Sequence, residues 1–173
     1  MIARRSVLLI GMLGCEFLTH PAQTRATNDA AMVGVCIRRA AQGHPWLEKT
    51  LWGLHDQEAG WIGAEVRNSD GSHDLGPLQV NSWWVRRVSQ LVGRPPVQVR
   101  YWLIHDACFN VDVARWIFLS GLGTTGDYWR AIGTYHSPIG WRQRRYARLV
   151  ASKLTFRFGP AVFAGDDDDA RRR

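Results

Sequence analysis

Between Glu58 and Asn81 the chain reads EAGWIGAEVRNSDGSHDLGPLQVN, and two carboxylates in it, Glu58 and Asp74, have contrasting surroundings. Glu58 continues the series Leu47, Leu51, Leu54, so a helix over residues 46–59 places its carboxyl on an apolar stripe. Burial without a cationic partner raises a carboxyl pKa toward the range of a general acid. Asp74 lies in a polar, Gly-rich segment beside the amide of Gln79. Two carboxyls in unlike environments are what glycoside cleavage requires: one protonates the leaving oxygen, and the other is a nucleophile, base or charge partner. Blander roles exist for each. Glu58 can fray into water with His55, Asp56 and Gln57, and Asp74 can cap a turn. Glu65, the nearest competitor, belongs to no apolar pattern.

The elements that must position these groups are mostly helical. Residues 30–42 put Val33, Cys36, Ile37 and Ala40 on one side, and Gly43 ends the run. Pro45 suits the first turn of the next helix, for which Gly60 is a stop. Over residues 63–78 the helical period is lost. Asn68-Ser69-Asp70-Gly71 is a turn signal, and the flanking segments predict a small irregular hairpin. There Gly76 either turns the chain or lets backbone approach a ligand. Asn81 or Ser82 can cap a helix to Val92 with Trp84, Val85, Val88 and Leu91 inward. Further helices are predicted over residues 97–105, 107–120 and 125–135, the last with Trp129, Ile132 and Tyr135 on one face. A final helix after Ser137-Pro138 has Tyr146, Leu149 and Val150 inward and Arg142, Arg144, Arg145 and Arg148 mostly outward. The expectation is an α-rich (α+β) single domain of six to seven helices with a small β-hairpin or irregular insert.

The 173 residues suffice for one domain with a real core. Residues 1–26 read as a targeting segment, with Arg4 and Arg5 before an apolar run too short for a stable membrane span. Leu13-Gly14-Cys15 is a faint lipoprotein signal with Met12 poorly placed before it, so export to the periplasm without lipid anchoring is expected. Residues 27–157 form the domain, and residues 158–173, ending GDDDDARRR, a charged and disordered tail. Export makes one disulfide between Cys36 and Cys108 the economical reading, with two buried thiols as the alternative. No zinc spacing is present, so no metal is expected. The net charge of +7 suits any polyanion, but no helix-turn-helix, zinc-finger or ribonucleoprotein pattern points to nucleic acid. Most of the nine Trp are expected in the core, with a few lining a groove.

Several segments, in order, resemble the lysozyme-like lytic transglycosylases of conjugation and type IV secretion systems. They are Gln57-Glu58-Ala59-Gly60, the run from Asn68 to Ser82, Cys108-Phe109-Asn110-Val111 ahead of Trp116-Ile117, Trp129, and Tyr135-His136-Ser137-Pro138. Cys36-Ile37-Arg38-Arg39-Ala40 fits that family's opening helix. Each piece is weak alone; their order over residues 35–154 is specific. The resemblance implies a lysozyme-like fold with Glu58 as catalytic acid and base. Gly76, Leu78, Gln79, Asn81 and His136 would shape sugar subsites, and Tyr135 would lie over the Glu58 carboxyl. The reaction implied is non-hydrolytic cleavage between N-acetylmuramic acid and N-acetylglucosamine with closure of a 1,6-anhydro ring, needing no cofactor. Partners would be peptidoglycan strands and proteins of a secretion or conjugation apparatus, with no nucleic acid.

Two departures bear on this. Ala59 stands where Ser or Gly commonly follows the acid, which removes a hydroxyl contact but not the acid. Residues 68–82 also resemble the substrate strands of animal-type lysozymes, where the residue matching Asp74 is nucleophile or ion-pair partner. That implies a retaining muramidase as the alternative. A third reading is a non-catalytic wall-binding component of a secretion channel.

Overall fold

Seven helices and a three-stranded antiparallel sheet make up a single α-rich domain in the computed structural model, which describes residues 21–163, with side chains from Thr27 onward. The order is α1 (Pro21–Ala41), α2 (Pro45–Glu58), β1 (Glu65–Arg67), β2 (His73–Leu75), β3 (Val80–Asn81), α3 (Trp84–Val92), α4 (Pro96–His105), α5 (Ala107–Thr125), α6 (Tyr128–His136) and α7 (Gly140–Phe158). A 3-10 turn (Pro160–Phe163) follows. Residues 1–20 of the expected targeting segment and 164–173 of the expected tail lie outside the described residues, whereas residues 21–26 open α1. Phe158 closes α7, and the Phe163 ring lies 5.5 Å from Trp129.

The helices begin and end for local reasons. Pro45 stands in the first turn of α2, and Ala59 closes it in the left-handed conformation with φ 51°. Asp106 caps α5 by accepting from the Phe109 N–H at 3.0 Å, and Asp127 caps α6 by accepting from the Arg130 N–H at 2.6 Å. Helix α5 runs past its expected end at residue 120, through Gly121. That glycine is a packing position: a Cβ there would stand 2.8 Å from Thr134 Oγ1 of α6. Gly126, at φ 63°, ends the helix instead.

Helix α5 packs against α1, α4 and α6, and α7 covers α2 and α6. Leu47, Leu51, Leu54, Leu103, Val111, Phe118, Ile132, Val150 and Leu154 share one core with Leu75, Leu78 and Val80 of the sheet region. The Cys36–Cys108 disulfide joins α1 to the start of α5 across 72 residues, a closure that contributes roughly 2–4 kcal/mol. The expected place of most Trp in the core is corrected: none of the nine is fully buried, and Trp46, Trp61, Trp83, Trp129 and Trp141 are exposed. Two further core positions are corrected as well. Leu91 is 63% exposed because the short α3 reaches the core through Val88, and Leu149 is 42% exposed beside the arginines of α7.

The insert is a sheet in the order β1-β2-β3, with Asp74 opposite Val66 on one side and Asn81 on the other. Asp70 makes the β1–β2 turn, accepting from the Ser72 N–H and hydroxyl at 2.9 and 2.7 Å. Asn110, fully buried in α5, fixes the insert to the helices. Its Nδ2 donates to the Leu75 and Leu103 carbonyls, each at 2.8 Å, and its Oδ1 accepts from the Leu78 N–H at 2.9 Å. Gly76, at φ 68°, sits against this amide; a Cβ would fall 2.1 Å from the Leu103 carbonyl oxygen.

Removing Asn110 strands three buried backbone groups, each costing about 1–3 kcal/mol. Asn110→Ala is expected to lower stability by at least about 3 kcal/mol in urea titrations. Asn110→Asp, which loses both donor bonds, should be no better. An unchanged midpoint for either variant would count against this role.

Candidate active site

Glu58 is the last residue of α2, and its carboxyl does not turn out to water. Gly60 sets where it lies: a Cβ there would meet the Gly76 and Pro77 carbonyl oxygens at 2.3 and 2.8 Å, so the end of α2 packs directly on the turn before β3. The Tyr146 hydroxyl of α7 donates a short hydrogen bond to Glu58 Oε1. Burial raises the Glu58 pKa, the Tyr146 bond lowers it, and the charge of Asp74 raises it, leaving it at about 7. Its neighbours go elsewhere. Asp56 is gripped at both oxygens by Arg157, at 2.5 and 2.6 Å, with His55 3.3 Å away. Burial opposes ionisation there, but the bonds from His55 and Arg157 hold its pKa at about 2. Glu65 is ion-paired to Arg100 on the surface.

A polar cleft of about 230 Å³ opens over Glu58. Asp74, Gln79, Asn81, Tyr135 and His136, all singled out in the sequence, line it with Glu58. Gly76 and Leu78 do not. Both are buried beneath the floor, where Gly76 packs on Asn110 and the Leu78 carbonyl accepts from the Tyr135 hydroxyl at 2.8 Å. The cross-strand neighbour Asn81 orients Asp74, its Nδ2 donating to Asp74 Oδ1 at 2.9 Å and to Ser72 Oγ at 3.0 Å. Gln79 holds φ 47°, and its Nε2 donates to the Gly76 carbonyl at 2.8 Å. Trp84 and Ile117 add apolar wall, and the Trp84 ring meets Trp116 edge-on at 5.5 Å.

Two tyrosines divide the work at the carboxyl. Tyr135, expected over Glu58, lines the same cleft but spends its hydroxyl on Leu78; burial, then Glu58 and Asp74, push its pKa well up. Tyr146 holds Glu58, and its own pKa is driven well up by burial and then by that carboxylate. The sequence placed Tyr146 inward without giving it a partner, although a buried phenol needs one. His136 stacks on Tyr146 with ring centroids 4.6 Å apart and planes 3° from parallel. Burial lowers its pKa, Asp74 opposes this and Arg142 adds to it, favouring the neutral imidazole. Among the described residues no cluster of three or more His, Cys, Asp or Glu is placed to hold a metal ion.

This arrangement suits proton transfer in both directions. A carboxyl with a pKa near 7 is present in both forms at neutral pH, which is the condition for giving and then taking a proton.

Tyr146→Phe removes the interaction that favours the carboxylate, so the Glu58 pKa should rise above about 7 in an NMR titration. A fall would contradict this assignment. Burial of Glu58 also links stability to pH. Its folded pKa of about 7 lies above the ordinary 4.5, so its contribution is complete below 4.5 and is lost as pH rises through 7. Relative to Glu58→Gln, the native chain should therefore lose on the order of 3 kcal/mol across that window. Parallel denaturation curves for the two proteins at both ends of the window would refute it.

No protein-family model matches the chain. It is similar to the invasion protein IagB of Salmonella typhimurium, strains SL1344 and LT2, and of Salmonella typhi, with 30% identity over 105 residues. The matched region is 60% of this chain and 62% of IagB, so the likeness spans less than two thirds of those relatives.

Proposed function

We propose that this protein is a peptidoglycan lytic transglycosylase that cleaves the β-1,4 bond between N-acetylmuramic acid and N-acetylglucosamine, with Glu58 as its acid and base. The observation that carries this reading is the buried Glu58 carboxyl, with a pKa of about 7 and a Tyr146 hydrogen bond, at the base of a polar cleft. Glu58 protonates the glycosidic oxygen as its bond to the muramic C1 breaks. The resulting carboxylate takes the proton of the muramic C6 hydroxyl, and O6 bonds to C1. No water is consumed, and the acid is regenerated.

Gln79, Asn81, Tyr135 and His136 form the walls that seat the sugars, while Gly76 and Leu78 act from beneath by holding the floor in place. Residues 1–26 direct export, and the domain over 27–157 acts on the wall in the periplasm. Export agrees with the Cys36–Cys108 disulfide, and no helix among the described residues is long and apolar enough to cross a membrane. The proposed cut opens the wall locally for a secretion or conjugation apparatus.

One observation favours a second reading, retaining hydrolysis. Asp74 lines the same cleft, and its charge acts on Glu58. Mass spectrometry of peptidoglycan digests separates the two. Fragments one water lighter, with anhydro-muramic ends, are expected from the native chain. Glu58→Gln should cut at least about 10²-fold more slowly while still binding the wall. Reducing ends would promote Asp74 to nucleophile, and undiminished cutting by the variant would remove Glu58 from its role.

A further inference from the structure

A second groove, of about 910 Å³, lies between α6 and α7 and shares no lining residue with the cleft over Glu58. Its walls carry Arg130, Arg144 and Arg148, all exposed, together with Trp129 and Asp127. Asp127, whose Oδ1 accepts from the Arg130 backbone N–H as the cap of α6, offsets one of these three charges and leaves the wall net positive. Among the described residues none of the three guanidiniums belongs to an ion pair. Three cations on a concave surface with one aromatic wall call for an anionic occupant.

The chain supplies one at the right place. It leaves the 3-10 turn at Phe163, whose ring rests 5.5 Å from Trp129, itself part of the groove wall. Asp166, Asp167, Asp168 and Asp169 follow after Ala164 and Gly165. The first is three residues beyond Phe163, so the connecting chain can span at most about 10 Å. Arg144 and Arg148 stand one helical turn apart, about 6 Å, and four extended residues cover about twice that.

We propose that the aspartate run at 166–169 docks in this groove, pairing its carboxylates with Arg130, Arg144 and Arg148. Single exposed ion pairs are weak, but a tether of a few residues holds the aspartates at an effective concentration in the millimolar range. Several pairs then form together, and salt dissolves them together. Arg171, Arg172 and Arg173 repel the same surface, which confines docking to the aspartates.

The test compares the full chain with a variant carrying Asp166→Asn, Asp167→Asn, Asp168→Asn and Asp169→Asn. The Nε–H resonances of Arg130, Arg144 and Arg148 should differ between the two proteins at low salt and coincide at about 0.5 M. An added peptide, GDDDDA, should bind the variant about tenfold more tightly than the native chain, whose groove is already filled. Identical resonances at low salt would overturn the proposal. So would equal peptide affinity, which would mean that the groove stands open to an acidic partner from outside.

Discussion

The Asn110 side chain is the constraint from which the rest of the site follows. A buried amide in α5 pairs three backbone groups: the Leu75 carbonyl at the end of β2, the Leu103 carbonyl in the last turn of α4, and the Leu78 N–H. Leu75 and Leu78 bracket the turn from β2 to β3, and Leu103 ties that turn to α4. Buried backbone polar groups must be paired, so the amide decides where that turn can lie. Gly76 lies against the amide because nothing larger fits, and Gly60 brings the end of α2 onto the same turn. The distance between Glu58 on its helix and Asp74 on its strand is thus set by a residue that touches neither.

The stripe through Leu47, Leu51 and Leu54 carried Glu58 into the interior as the spacing required, and the turn at residues 68–71 and most helices stand where periodicity put them. Local patterns announce themselves because helix and strand periods are written in adjacent residues. Tyr146 was legible only as an inward residue. Its partner lies 88 positions away, and no short-range pattern encodes which buried hydroxyl meets which carboxyl. Gly76 and Leu78 show the same limit from the other side. The motif marked them as part of the site, but whether such residues face the cleft or support it depends on Asn110, supplied by another helix. The third strand and the exposure of Leu91 likewise depend on contacts between elements.

The floor of the site carries strain as well as bonds. Ala59 and Gln79 both occupy the left-handed region, at φ 51° and 47°, where a residue with a Cβ is disfavoured by roughly 1–2 kcal/mol. Ala59 turns the chain immediately after Glu58, and Gln79 leads directly into β3. Each position is tied locally, Ala59 by its N–H to the His55 carbonyl at 2.8 Å and Gln79 by its side chain and N–H to Gly76. Strain held on both sides of one carboxyl, beside a buried acid that itself weakens the fold above neutral pH, is the pattern expected where stability is given up for geometry.

That exchange explains why the carboxyl has the surroundings it has. A group that must give a proton and then take one back works best with its pKa near the ambient pH, where neither form is rare. Burial alone would carry Glu58 too far, leaving an acid that cannot act as a base. The Tyr146 hydroxyl pulls the other way by solvating the carboxylate, and Asp74 pushes back with its charge. His136, stacked on Tyr146 and held toward its neutral form, adds an aromatic face without adding a cation beside the carboxyl. A permanent cation in its place would favour the carboxylate and lower the pKa out of the useful range. The balance near 7 therefore depends on the whole aromatic and polar lining, and the phenol at Tyr146 is the group that keeps both halves of the proton cycle open.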